Sequence, residues 1–237
     1  MLVAAAVCPC PPILLPEVAA GAAPELDAAR AACADALGVL AAARPDLLVV
    51  VGPAERSGRG VHAEGARGSF RGFGVDVDVR LGADRGADEP RPLPASLAVA
   101  AWLLERTGWS DAPIEGLGVG EPLEPERCIQ TGREIAARAE RVAMLVMGDA
   151  SACRTLKAPG YLDERAAPFD AEVARALGAA DVASLRALDA ELAYELKASG
   201  RAPWQVLGGA AEGAGLGGSL LYEDAPYGVG YVVATWS

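Results

Sequence analysis

Asp46-Leu-Leu-Val-Val-Val-Gly52 is apolar without interruption and β-branched toward its end. A strand with one wet face alternates polar and apolar residues. One buried on both faces has no polar side to show, and it reads as this run does. A second apolar run, residues 2–7, precedes it and stops at Cys8-Pro-Cys-Pro-Pro12, where the prolines can continue neither a strand interior nor a helix. Between the two, Pro24 opens a pattern in which Leu26, Ala29, Cys33, Leu37 and Leu40 recur at three and four, the spacing of a helix of about five turns. Strand, helix, buried strand is a βαβ unit, and it calls for a parallel sheet.

The rest of the chain extends this pattern. Residues 56–72, rich in Gly and Arg, read as a surface loop. From Phe73 to Val79, Val75, Val77 and Val79 alternate with Asp76 and Asp78, the pattern of a half-exposed strand. Residues 82–94, with several Gly, Asp and Pro, read as a mobile loop. Helices are predicted near 95–107 and 124–140. A third buried strand, Val142-Ala-Met-Leu-Val-Met147, ends in Gly148-Asp149. Residues 169–212 read as helical with an interruption near Gly200 and Pro203. Two last strands near 217–223 and 229–235 flank a turn containing Ala225-Pro-Tyr-Gly228. There is no internal repeat and no convincing linker. The expectation is one α/β domain over residues 1–237, with a mixed, largely parallel central sheet flanked by helices.

Composition narrows the functions this fold can serve. The net charge of −11 repels phosphate backbones and anionic lipid, which argues against a nucleic-acid or membrane partner. Arg56, Arg59, Arg67 and Arg71 form one local basic stretch, and it reads as a solvated loop. No apolar run reaches the roughly 20 residues that span a bilayer. The opening MLVAAAVC has no positive region ahead of its apolar run, so it does not read as a signal peptide. Five cysteines, an odd number with no CxxC pair, point to reduced thiols in the cytoplasm. The glycines at 208, 209, 213, 215, 217 and 218 match neither phosphate-cradling spacing.

Five stretches, in order over nearly the whole chain, carry a family resemblance. They are Cys8-Pro-Cys-Pro-Pro12, then Val51-Gly-Pro-Ala-Glu55, then Gly148-Asp-Ala-Ser-Ala152 with Pro159-Gly-Tyr161 and Phe169-Asp170 behind it. Gly200-Arg-Ala-Pro-Trp204 with Gly208-Gly-Ala210 and Ala225-Pro-Tyr-Gly-Val-Gly-Tyr231 complete the set. Together they resemble the catalytic subunits of the class III extradiol ring-cleavage dioxygenases, a superfamily that also holds relatives with no settled dioxygenase activity. The resemblance implies the α/β fold of those catalytic subunits, Fe(II), a catechol-type substrate and frequent assembly into dimers or larger oligomers. It also implies histidines at three positions, two binding iron and one moving protons. Here those positions fall on Cys10, Ala54 and Ala152, and a ligating glutamate falls near Ala198, with Glu195 three residues away.

The chain has one histidine, His62, in the Gly/Arg loop away from all these positions. A facial triad of two imidazoles and a carboxylate, with a separate base for the phenolic proton, consumes three imidazoles. Pairing His62 with its mate in a dimer still leaves one too few. The expectation is therefore an iron-free, non-catalytic member that binds a small organic or aromatic ligand, a second copy or another protein, with no cofactor. The alternatives are an enzyme of altered chemistry, with or without a metal, at Cys10 with Glu55 or Asp149 and, less favoured, an Fe(II) catechol-type dioxygenase.

If the sheet is parallel, Cys10, Ala54, Glu55, Asp149, Ser151 and Ala152 all follow carboxyl ends of strands, where open α/β sheets bind ligands. Cys10 reads as a small filler in place of histidine, or as a reactive thiol or soft metal ligand. Cys8 packs in its strand. Glu55 either reaches the old metal position or pairs with Arg56 or Arg59 in solvent. Asp149 and Ser151 read as caps of their own turn, or as ligand hydrogen-bonders. His62 reads as an exposed loop residue. Tyr227, with Tyr161, Tyr222 and Tyr231, lines either a pocket or the core rim.

Overall fold

The computed structural model describes residues 1–84 and 91–237. In chain order its elements are β1 (Leu2–Cys8), α1 (Pro16–Ala19), α2 (Asp27–Ala42), β2 (Leu47–Pro53), β3 (Gly60–His62), β4 (Arg67–Ser69), β5 (Asp78–Arg80), α3 (Ala95–Thr107) and β6 (Ile114–Val119). There follow α4 (Pro125–Ala136), β7 (Val142–Met147), α5 (Ala166–Gly178), α6 (Val182–Arg186), α7 (Ala190–Glu195), α8 (Arg201–Ala210), β8 (Gly218–Asp224) and β9 (Tyr231–Trp236). Seven strands form one sheet in the order β3-β6-β2-β7-β1-β9-β8, and β4 and β5 form a separate hairpin ladder. The central four, β6, β2, β7 and β1, run parallel, while β3 and β9 join them antiparallel and β8 pairs antiparallel with β9. The sheet is thus mixed and largely parallel, flanked by helices.

The period of two explains why the central strands carry no polar face. Leu48 and Val50 point into the core layer shared with α2 and α3, whereas Val49 and Val51 point into the layer under α5 and α8. Ala4 and Ala6 oppose Ala5 and Val7 in the same way, as do Ala143 and Leu145 against Met144 and Val146. Glycines allow two elements of the second layer to touch closely. A Cβ on Gly132 of α4 would strike the Val206 carbonyl of α8, and one on Gly209 would strike the Ile129 carbonyl, so these helices meet main chain to main chain.

Several expectations are corrected. The loop expected over 56–72 contains β3 and β4, and β3 forms an edge of the main sheet. Three-residue strands rich in glycine carry no readable alternation. His62 is accordingly not an exposed loop residue: it is fully buried, paired opposite Gly116, and its Nε2 lies 2.8 Å from the Gly58 carbonyl. The strand expected over 73–79 shrinks to Asp78–Arg80, because Arg71–Phe73 makes a 3-10 turn closed by Gly74 at φ +85°. Strand β6 has no counterpart among the expected elements, since Gly116 and Gly118 dilute its pattern. Both glycines are required: a Cβ at Gly118 would meet the Gly58 carbonyl, and one at Gly116 would lie 2.9 Å from Leu81. The interruption expected near Gly200 is present between α7 and α8, with Gly200 at the N-cap of α8, but Pro203 does not cause it: Pro203 sits in the first turn of α8, where no helical partner awaits its missing N–H. Two further breaks fall before α6 and α7, where the carboxylates of Asp181 and Asp189 accept the N–H groups that open those helices. Of the loop expected over 82–94, residues 85–90 lie outside the described residues. All five cysteines are buried and free. Among the described residues, no helix is long and apolar enough to cross a membrane.

Candidate functional site

Because β2, β7 and β1 are parallel neighbours, their carboxyl ends open at one rim of the sheet. Cys10 follows β1, Ala54 follows β2, and residues 149–152 follow β7. Gly148 N–H donates to the Cys8 carbonyl at 3.0 Å, which prolongs the β1–β7 ladder by one step and brings Asp149 up to Cys10. Cys10 N–H then donates to Asp149 Oδ1 at 2.8 Å, and the Cys10 thiol lies 4.0 Å from Oδ2. A third chain segment closes the group. Asp149 N–H donates to Ser199 Oγ at 3.1 Å, and Gly200 N–H donates to the Asp149 carbonyl at 2.9 Å. A Cβ on Gly148 would collide with Gly200 Cα, so glycine at 148 permits this approach, while a Cβ on Gly200 would strike the Trp204 ring.

The electrostatics of the group run one way. Burial raises the Asp149 carboxyl to about 7, with the Cys10 N–H pulling against it. Its residue surface is nevertheless partly open to solvent. Burial, and then the Asp149 charge, push the Cys10 thiol well above its ordinary value, against the Ser199 hydroxyl. Tyr231, at 2% exposed, sits on β9 beside β1, and its phenol is raised by burial first and then by Asp149, Tyr227, Cys10 and Tyr222. Tyr222 and Tyr227 are half-buried at the outer side of the same group.

The remaining sequence candidates part company. Ser151 turns inward and is fully buried. Its N–H and hydroxyl both donate to Asp170 at 2.8 Å, and Arg154 Nη1 donates to the same carboxylate at 3.1 Å. Asp149 and Ser151 therefore bond across to Cys10 and to α5 rather than capping their own turn. Ala152 is enclosed, its N–H donating to the Leu196 carbonyl at 2.9 Å and its carbonyl accepting from Gly160 at 2.8 Å. Ala54 is half-buried, its N–H bonded to the Val119 carbonyl at 2.8 Å. Glu55 is exposed and forms no ion pair among the described residues. Arg59 instead donates to the Ala54 carbonyl at 3.4 Å. Ala198 is buried, and Glu195 is held by Arg165 at 2.6 Å on the surface. Tyr161 is 63% exposed, outside the group.

Sequence reasoning passes over Ser199 and Arg154, and it names Asp170 only within the Phe169-Asp170 stretch, with no role. Ser199 is a small residue in a loop with no pattern of its own. Asp170 lies within a helix, where a lone carboxylate ordinarily faces water.

An Fe(II) triad does not fit these residues. Of Cys10, Ala54 and Ala198, only Cys10 carries a donor atom, and its one acidic neighbour is Asp149. Among the described residues, no three His, Cys, Asp or Glu side chains gather as a metal-binding group. A surface cavity of about 1210 Å³ lies away from this rim, between the β4–β5 hairpin, the end of α3 and the start of β6.

No family model matches the chain, and no curated protein does. Among solved structures it is similar to an uncharacterized protein of Escherichia coli K12, JW3007, with 15% identity and a TM-score of 0.56. That likeness covers 99% of this chain and 100% of the other. At such identity it shows the α/β fold alone.

Proposed function

We propose that this chain is a binding protein on an extradiol dioxygenase-like scaffold, iron-free and non-catalytic, which takes a small organic ligand where β1 and β7 end. The observation that carries this reading is the state of Asp149. One carboxylate oxygen is fixed by Cys10 N–H, while the other has, among the described residues, only a thiol at 4.0 Å, in a partly open position near Tyr231. A polar atom left uncommitted at the carboxyl end of a parallel sheet is the usual anchor of a small-molecule site. Nucleophilic chemistry at Cys10 finds no support beside it, because burial and a neighbouring carboxylate both keep the thiol protonated.

A thermal-shift panel of small aromatic alcohols, acids and amines should yield stabilising compounds whose effect disappears in Asp149→Leu. Purified protein should hold no stoichiometric metal that depends on Cys10, judged by metal analysis of the native chain and Cys10→Ser. After anaerobic Fe(II) loading it should consume no oxygen with catechols. Catechol-dependent oxygen uptake, or a metal lost with Cys10, sinks the reading.

A further inference from the structure

The crevice assigned above gathers more phenols and carboxylates than a neutral ligand calls for. Each of three tyrosines has its own acidic neighbour: Tyr231 has Asp149, Tyr227 has Glu25 and Tyr222 has Asp224. Glu25 and Asp224 are exposed, whereas Asp149 is partly buried. The basic group that reaches this cluster is Arg30, and its guanidinium is engaged by the Leu14 carbonyl at 3.1 Å, by Asp27 at 2.6 Å and by the Ala23 carbonyl. The local field is therefore negative, with little to balance it.

Two polar atoms in this cluster also lack strong partners. The Tyr231 ring is buried, while its hydroxyl is not among the polar atoms shut off from solvent without a partner. The Tyr227 hydroxyl is shut off from solvent and closes no hydrogen bond of normal geometry, with the Glu25 carboxylate as its acidic neighbour. Asp149 Oδ2 has only the distant Cys10 thiol. A buried polar atom left unpaired is costly, and one beside a half-engaged carboxylate marks a place shaped for something that pairs them.

We propose that the Asp149–Tyr231–Tyr227 cluster recognises an organic cation, an ammonium group carried on a small apolar or aromatic body. This rests on the reading that the crevice binds a small organic ligand. An ammonium donates to Asp149 Oδ2 and to phenolic oxygens at once, and tyrosine rings attract cations through their quadrupole. A carboxylate-bearing ligand meets Asp149, Glu25 and Asp224 as like charges. An alcohol meets the hydrogen-bond needs and leaves the field unanswered.

The test compares phenethylammonium, 2-phenylethanol and 3-phenylpropionate by calorimetry on the full chain, on Asp149→Asn and on Tyr231→Phe, at mildly alkaline pH. The ammonium should bind about tenfold more tightly than the alcohol, the scale of a partly desolvated cation contact, and the anion weakest. Asp149→Asn, nearly isosteric, should bring the ammonium down to the level of the alcohol. Tyr231→Phe, checked for folding by circular dichroism, should weaken the ammonium by a smaller factor. Equal or tighter binding of the alcohol or the anion, lost in Asp149→Leu, overturns the cation and leaves the crevice standing. Ammonium binding indifferent to both substitutions overturns the proposal. So does the failure of all three probes, while the broader panel then decides the crevice separately.

Discussion

Two carboxylates near the end of β7 receive opposite treatment. Asp170, at 2% exposed, accepts three hydrogen bonds, from the Ser151 N–H, the Ser151 hydroxyl and Arg154. Asp149, nearer solvent, has one strong bond and one nearly idle oxygen. Burial raises both carboxyls, but around Asp170 Ser151 and Arg154 oppose it, whereas around Asp149 only the Cys10 N–H does. A fully engaged buried carboxylate fastens elements together. One that is half engaged and reachable is held in readiness for something outside the chain.

The largest effect should come from cutting the fastened one. Asp170→Ala leaves the Ser151 donors and Arg154 without their acceptor, and unfolding in urea should show a loss of about 3–5 kcal/mol, the usual result of breaking a buried ionic group. Next, Gly230→Ala presses on the same carboxylate from outside. The added Cβ would lie 2.6 Å from Asp170 Oδ2 and 2.8 Å from the Ala150 side chain. A loss of about 1–3 kcal/mol is expected in the same assay.

Asp149→Asn should act in the opposite direction. The folded carboxyl titrates at about 7 against an ordinary 3.8, so the native state holds its proton longer than the unfolded chain does. Wild-type stability therefore falls as pH rises from about 4 through 7, and the amide lacks this slope. A three-unit shift corresponds to about 4 kcal/mol, and solvent access at Asp149 reduces this to about 1–2. Denaturation followed across pH should show the two proteins diverging over that window, with the variant the more stable above it. No divergence would mean that Asp149 is as well served as Asp170. The smallest effect concerns Cys10. Iodoacetamide should label it about tenfold more slowly than an unfolded thiol at neutral pH, and Asp149→Asn should speed labelling severalfold, read by mass spectrometry.

The contrast also marks what the sequence could reveal. Residues 46–52 and 142–147 are legible as doubly buried strands because nothing polar interrupts them. Asp149 and Cys10 are legible as rim residues because each follows such a strand or its equivalent. Strand β6 is not, because glycines chosen for close approach erase the hydrophobic pattern that would announce it. His62 is hidden for the same reason, inside a three-residue strand with glycine at its start. The pairing of Ser151 with Asp170, 19 positions away, and the arrival of Ser199 and Tyr231 beside Asp149 are products of tertiary folding. Local sequence records none of them.

The contact of Gly132 with α8 and of Gly209 with α4 has a consequence for how this protein tolerates change. Even a methyl group is too large at either position. A systematic survey of substitutions scored only by survival would show this seam as intolerant as the crevice itself, although it touches no ligand and does no chemistry. Intolerance there measures the distance between two backbones, and only a binding readout would separate the two kinds of position.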